Sequence, residues 1–444
     1  MNPLLALSAV DLRDRLATGA LRAVELVEAC IARIEEREAE IGAWAWFDPE
    51  HARKRAAELD AYRASGRDIG PLHGLPVGVK DIIDTVRIPT ENGTVLDSGR
   101  VPTRDAWIVT RLKQAGAVIM GKTATTELAF MHPAKTRNPA NPDHSPGGSS
   151  AGSAAAVADR MVPLAIGTQT GGSVIRPAAY CGIVGFKPTF GAIPRTGILS
   201  QSPSLDTVGV FAADVAGAAL LAETLCGHDP GDPATAPAPV PRLVDTALAE
   251  VPVTPAIAFV RQPAWGGAEQ DTKDAFAEVV EALGDDCVEI ALPEAFGEAV
   301  AARQRINFAE MAKTYFHYVE KGRDKLGEET LAAIDAGGKL PARDYISALD
   351  WPKVLNATLD EIFFRFDAIL TPAAPGPAPE GLGSTGSPAF NVLWTFCGTP
   401  AITLPLLEAP NGMPMGIQLV GPRGGDAKLL RTARWLTARL SPAG

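Results

Sequence analysis

Short apolar runs bounded by glycine, set among stretches of helical periodicity, constrain this chain more than any other feature of its sequence. LPVGVKDIID (75–84) and AGAVIMGKT (115–123) are strand-like, and TRLKQAG just before the second has helix character. MVPLAIG (161–167) and GIVGFKPT (182–189) continue the pattern, with the helix-like SAAAVADR beginning at Ser153 and a further helix starting at Asp214. The alternation is βαβ, and it predicts a sheet covered by helices.

The two ends of the chain extend that reading. From Ser8 to about Ser65, apolar residues recur at helical spacing in segments such as AVELVEACIARIEEREAEI, which predicts a helical layer over residues 1–65. DPGDPATAPAPVPR (229–242) reads as an exposed connection, and the stretch beyond it is helical to about Phe366. Strand signals then return in DAILTPAAP, AITLPL and GIQLVGP. Strands at both ends with helices between them favour a single domain, 1–444, carrying a helical region over about 215–360.

Composition narrows the function classes. With 46% hydrophobic and 21% charged residues, the chain reads as globular. Its formal charge is −11 and no block of Lys and Arg interrupts that balance, so nucleic acid is not an expected partner. Asp11, Arg13, Asp14 and Arg15 stand where a secretory signal would need apolar residues, and no apolar run reaches spanning length. No membrane association is expected, and the location reads as cytoplasmic. The five cysteines are scattered and never form CxxC, and the six histidines form no metal-binding pattern. Neither a metal nor another cofactor is expected.

Three glycine-rich or lysine-bearing segments invite chemistry. Gly116 to Thr123 satisfies the phosphate-loop pattern GxxxxGK[ST], but Ala117, Val118, Ile119 and Met120 are the apolar run of a buried strand, so the structural reading is favoured. GGSSAGSAAAVA (147–158) opens onto an alanine-rich helix without the GxGxxG spacing of a dinucleotide loop. GTQTGGSVIRPAAYCG (167–182) follows a strand, and there the amides of Thr170, Gly171 and Gly172 can converge on one point unobstructed, as an oxyanion hole requires. Ser173 is then a candidate nucleophile, which needs a base. Lys80 ends the apolar run LPVGVK, where an ammonium is costly to bury, and Ser149 is the natural proton relay between the two. The competing reading makes Lys80 a structural partner of Asp81 or Asp84.

GLPVGVKDIID, HSPGGSSAGSAAAVA, GTQTGGSVIRPAAYCGIVGFKPT, FNVLWTFCGTPAITLPL and GMPMGIQLVGP, in this order, resemble the amidase signature family over nearly the whole chain. The resemblance implies a large mixed, mainly parallel twisted sheet surrounded by helices. It also implies a Ser-cis-Ser-Lys hydrolase, with Ser173 as nucleophile, Ser149 after a cis peptide as the bridging serine, and Lys80 as the ultimate base. Where many members carry GTDTGGSIRxPA, this chain carries GTQTGGSVIRPA, with Gln169 in place of the aspartate and Arg176 three residues after Ser173. That variant resembles malonamidase-type members, in which the equivalent arginine holds the substrate carboxylate. Arg176 is therefore a candidate substrate-binding residue, with a structural anchor as its alternative.

The function expected is hydrolysis of the C–N bond of a small amide, with malonamate as one carboxylate-bearing example. The alternatives are the glutaminase subunit of a tRNA-dependent amidotransferase, or a hydrolase of aryl amides, carbamates or ureas. A catalytically dead binding protein would have lost Lys80, Ser149 or Ser173, and all three are present. The expected partner is a small-molecule amide, and a homodimer is left open.

Overall fold

In the computed structural model, which describes residues 2–441, the glycine-bounded runs lie side by side in one sheet. Its strands are β1 (Trp44–Phe47), β2 (Pro76–Lys80), β3 (Val118–Thr123), β4 (Leu164–Gln169), β5 (Val184–Lys187), β6 (Thr207–Ala212), β7 (Ile257–Val260), β8 (Cys287–Ile290), β9 (Ala368–Pro372), β10 (Ala401–Glu408) and β11 (Pro414–Val420). They are ordered β1-β3-β2-β4-β6-β5-β10-β11-β9-β7-β8. β2, β3, β4 and β6 are buried along their whole length, as uninterrupted apolar runs require.

The sheet is mixed, as expected, but the mainly parallel part of the expectation holds only toward its two ends. β2 pairs parallel with β3 and β4, and β7 pairs parallel with β8 and β9. β4–β6, β5–β6, β5–β10, β10–β11, β9–β11 and the edge pair β1–β3 are antiparallel. One cause is local: β10 and β11 are joined by the short turn around Asn411 and Gly412, and a connection that short permits only antiparallel pairing.

Helices Ala9–Thr18, Ala23–Ile41 and Pro49–Ala64 form the N-terminal layer. Ala23–Ile41 buries Leu26, Val27, Ile31 and Ile34 on one face, at the spacing of a helix stripe. Each such side chain contributes about 1.5–3 kcal/mol on burial, well above the few tenths by which β-branched residues disfavour a helix. Gly42, at φ 64°, ends it.

Four strands escaped the sequence reading: β6, just before the helix expected from Asp214, and three shorter ones. β1 lies within the helical N-terminal layer, while β7 and β8 lie within the region read as helical and extend the same sheet. β1, β7 and β8 have four residues each, too few for a period to declare itself. The phosphate-loop pattern is structural: Ala117 to Met120 are buried, and Lys122 Nζ donates to Ile83 O and Thr90 Oγ1, both at 2.7 Å.

Candidate active site

The parallel strands β2 and β4 end together, and their carboxyl ends carry the reactive residues, the place where open α/β sheets bind ligands. Lys80 is the last residue of β2 and is fully buried. Its Nζ donates to Ser149 Oγ at 2.8 Å and to Thr168 Oγ1 of β4 at 2.9 Å. Ser149 sits in the loop leading into helix Ala151–Ala158, and the Gly148–Ser149 peptide bond is cis. Neither neighbouring acid pairs with Lys80. Asp81 lies 3.4 Å from Lys122, and Asp84 accepts from Arg100 at 2.7 Å. Burial pushes the Lys80 pKa down to about 7, against an opposing pull from the charge of Asp206.

Ser173 lies between β4 and helix Ile175–Tyr180. Gln169 shapes this loop: its Oε1 accepts from Val174 N at 2.8 Å and Ile175 N at 3.0 Å, holding the start of that helix, and its Nε2 donates to Thr395 Oγ1 at 2.9 Å. The three carbonyls that follow are all engaged. Thr170 O accepts from Arg303 Nη2 at 2.8 Å, Gly171 O from Thr395 Oγ1 at 2.7 Å, and Gly172 O from Arg176 N at 2.9 Å. In a trans peptide the N–H opposes the C=O. These three bonds therefore turn the N–H groups of Gly171, Gly172 and Ser173 the other way.

Among the described residues, no acceptor takes those three N–H groups or that of Thr170. Buried amides left free in a row suit an anion. The glycines are dictated by close approach, since a Cβ on Gly172 would overlap Asn391 Oδ1 and one on Gly171 would stand 3.0 Å from Arg303 Nη2. Ser173 is part-exposed, and its Oγ makes no hydrogen bond among the described residues. The structure thus joins Lys80 to Ser149 directly, while the Ser149–Ser173 contact is not formed in this conformation. Catalytic hydrogen bonds commonly tighten only once substrate is bound.

Arg176 lies on helix Ile175–Tyr180. It is 2% exposed, and burial lowers its pKa to about 10. Its Nη1 donates to Gly386 O at 2.9 Å, and its Nη2 to Gly148 O at 2.7 Å and Thr385 Oγ1 at 3.2 Å. The guanidinium ties the peptide before Ser149 to the 385–386 loop. Its partners are two carbonyls and a hydroxyl rather than an acid, and its Nε is buried without an acceptor.

Five residues at the site carried no signal of their own. Thr168 is the second partner of Lys80. Thr395 and Asn391 flank Gly171 and Gly172. Asp206 accepts from Thr170 Oγ1 at 2.6 Å and from Gln201 N and Ser202 N at 2.9 Å each, and burial raises its pKa to about 6. Arg303 comes from helix Ala299–Thr314. A cavity of about 160 Å³, bordered by Thr168, Thr170, Gln201 and Asp206, adjoins the site without reaching Ser173. Among the described residues no group of acids, histidines and cysteines could hold a metal, and no helix is long and apolar enough to cross a membrane.

Known proteins share both sequence and architecture with this chain. The family model described as Amidase matches residues 25–430. A glutamyl-tRNA(Gln) amidotransferase subunit from Geobacter metallireducens is 34% identical over 95% of each chain, and its counterpart from Chloroflexus aggregans is 34% identical over 94% of this chain and 93% of its own. Among solved structures, 6-aminohexanoate cyclic dimer hydrolase superposes with a TM-score of 0.87 at 27% identity, covering 100% of this chain and 98% of that one. The peptide amidase of Stenotrophomonas maltophilia gives 0.85 at 29%, covering 99% and 98%. A structure described as a vestigial protein complex, tied to the origins of an s-triazine catabolic enzyme, gives 0.90 at 27%, covering 98% and 100%. With the family model spanning most of its length and a sheet of the same architecture, the chain belongs to the amidase family, hydrolases of carbon–nitrogen bonds.

Proposed function

We propose that this chain hydrolyses a small amide through an acyl-enzyme on Ser173. The observation that carries the reading is the buried Lys80 amine, 2.8 Å from Ser149 Oγ, beside a serine preceded by unengaged amides. Neutral Lys80 takes the Ser149 hydroxyl proton as Ser149 takes that of Ser173. Ser173 Oγ attacks the amide carbon, and the oxyanion is received by the N–H groups of Thr170, Gly171 and Gly172, together with that of Ser173 itself. The amide nitrogen leaves with the proton returned through Ser149. Water then attacks the ester, so that amide and water give a carboxylic acid and ammonia or an amine.

Two finer readings concern the donor. The relatives named as amidotransferase subunits support a glutaminase that releases ammonia to a partner protein. Malonamate is supported by the GTQTGGSVIRPA variant alone. Ammonia release should be assayed over L-glutamine, malonamate, aliphatic and aryl amides, carbamates and ureas. Ser173→Ala, folded as judged by thermal melting, should lose all turnover. A variant as active as the parent chain would refute the assignment. Co-purification of further subunits, with ammonia delivered to them, would favour the glutaminase. An active protein isolated alone or as a homodimer, with no transfer partner, would count against it.

A further inference from the structure

Arginine is rarely buried without a partner, because its charge loses water and gains nothing in return. Arg303 departs from this rule at the edge of the nucleophile loop. It is part-buried on helix Ala299–Thr314, and its Nη2 donates to Thr170 O at 2.8 Å, a neutral acceptor. No carboxylate lies within ion-pair distance of it among the described residues. Its Nε is buried with no acceptor, and Nη1 has no acceptor either. The acid whose charge acts on it is Asp206, whose oxygens are already held by Thr170 Oγ1, Ser200 Oγ, Gln201 N and Ser202 N. Burial accordingly lowers the Arg303 pKa to about 10.

We propose that Arg303 is a group that reads a carboxylate on the substrate. The inference rests on the amidase reading above and adds the substrate class: a short amide that also bears an acid. The guanidinium flanks Gly171, two residues before the nucleophile, so an acid bound to it would sit within a short chain's reach of the scissile carbonyl. A carboxylate there would supply the missing counter-ion, its two oxygens matching one planar edge of the guanidinium, the second N–H of Nη2 together with Nε or Nη1.

The test compares paired amides of similar length, malonamate with propionamide, and L-glutamine with L-glutamine amide, in the parent chain, Arg303→Ala and Arg303→Lys. Because Nη2 also holds Thr170 O, some loss of kcat on every substrate is expected, and the ratio of kcat/KM between acid and neutral partner is the readout. The proposal expects the parent chain to prefer the acid of at least one pair. It expects Arg303→Ala to lower that ratio about 10- to 100-fold, mainly through KM, as for a lost charge-assisted bond, and Arg303→Lys to restore part of it. Free malonate should inhibit the parent chain on a neutral amide and lose potency in Arg303→Ala. Equal losses on both members of each pair, or a parent chain with no preference for acids, would overturn this inference and leave the amidase intact. A parent chain that releases ammonia from no amide would overturn both.

Discussion

Lowering the pH should switch this enzyme off before it unfolds, and the profile can be worked out from Lys80. The base must be neutral to accept the Ser149 proton. Burial favours the uncharged amine, so its pKa falls to about 7 and the neutral form predominates above that value. A group of that pKa is neutral in about one-tenth of molecules at pH 6, about half at pH 7 and about nine-tenths at pH 8. The account therefore expects kcat/KM to rise about tenfold per unit below pH 7 and to level off above pH 8. The Asp206 charge favours the ammonium, so Asp206→Asn should move the midpoint to lower pH. The assay is ammonia release at low substrate from pH 5 to 10, with thermal melting at each pH to show that the fold persists. A midpoint near 10, the ordinary lysine range, or an acid optimum would refute the reasoning.

The other expectations concern the loop and its supports. Ser173→Ala and Lys80→Ala should each abolish turnover, and their combination should be no worse, because members of one catalytic unit fail together; additive losses would argue against a shared pathway. Gly172→Ala pushes a methyl into Asn391 Oδ1 and displaces an oxyanion donor, so kcat should fall about 10²- to 10³-fold, and unchanged kinetics would show that this amide does not serve the oxyanion. Arg176→Ala removes bonds to Gly148 O, Gly386 O and Thr385 Oγ1, and should cost about 3 kcal/mol of stability or more. It should damage acid and neutral amides alike, and a selective loss on acids with no fall in melting temperature would restore its substrate-binding role.

What the sequence could disclose was what neighbouring residues decide. Lys80, Ser149 and Ser173 each lie in a short segment whose glycines, serines or apolar run already express the local geometry, so each could be singled out before any contact was known. Arg303 reaches Thr170 across 133 positions and Thr395 reaches Gly171 across 224, and nothing in either segment announces the other. Arg176 was ambiguous for the same reason: its partners at Gly386 and Thr385 are 210 and 209 residues away, and nothing near it in the sequence announces them. Gln169 illustrates the converse, since its role in holding Val174 and Ile175 is local, yet a side-chain amide at the end of a strand has no pattern that declares it. The four-residue strands β7 and β8 join the sheet through neighbours elsewhere in the chain rather than through any period of their own.

The central claim, that Ser173 is acylated with Lys80 as the distant base, is tested most directly by trapping the intermediate. The enzyme is mixed with an amide it cleaves, quenched in acid during steady turnover, digested and analysed by mass spectrometry. The account predicts an added acyl mass on the peptide containing Ser173, absent from Ser173→Ala and sharply reduced in Lys80→Ala at neutral pH. An acyl group on any other residue, or full turnover with Ser173 replaced, would contradict it.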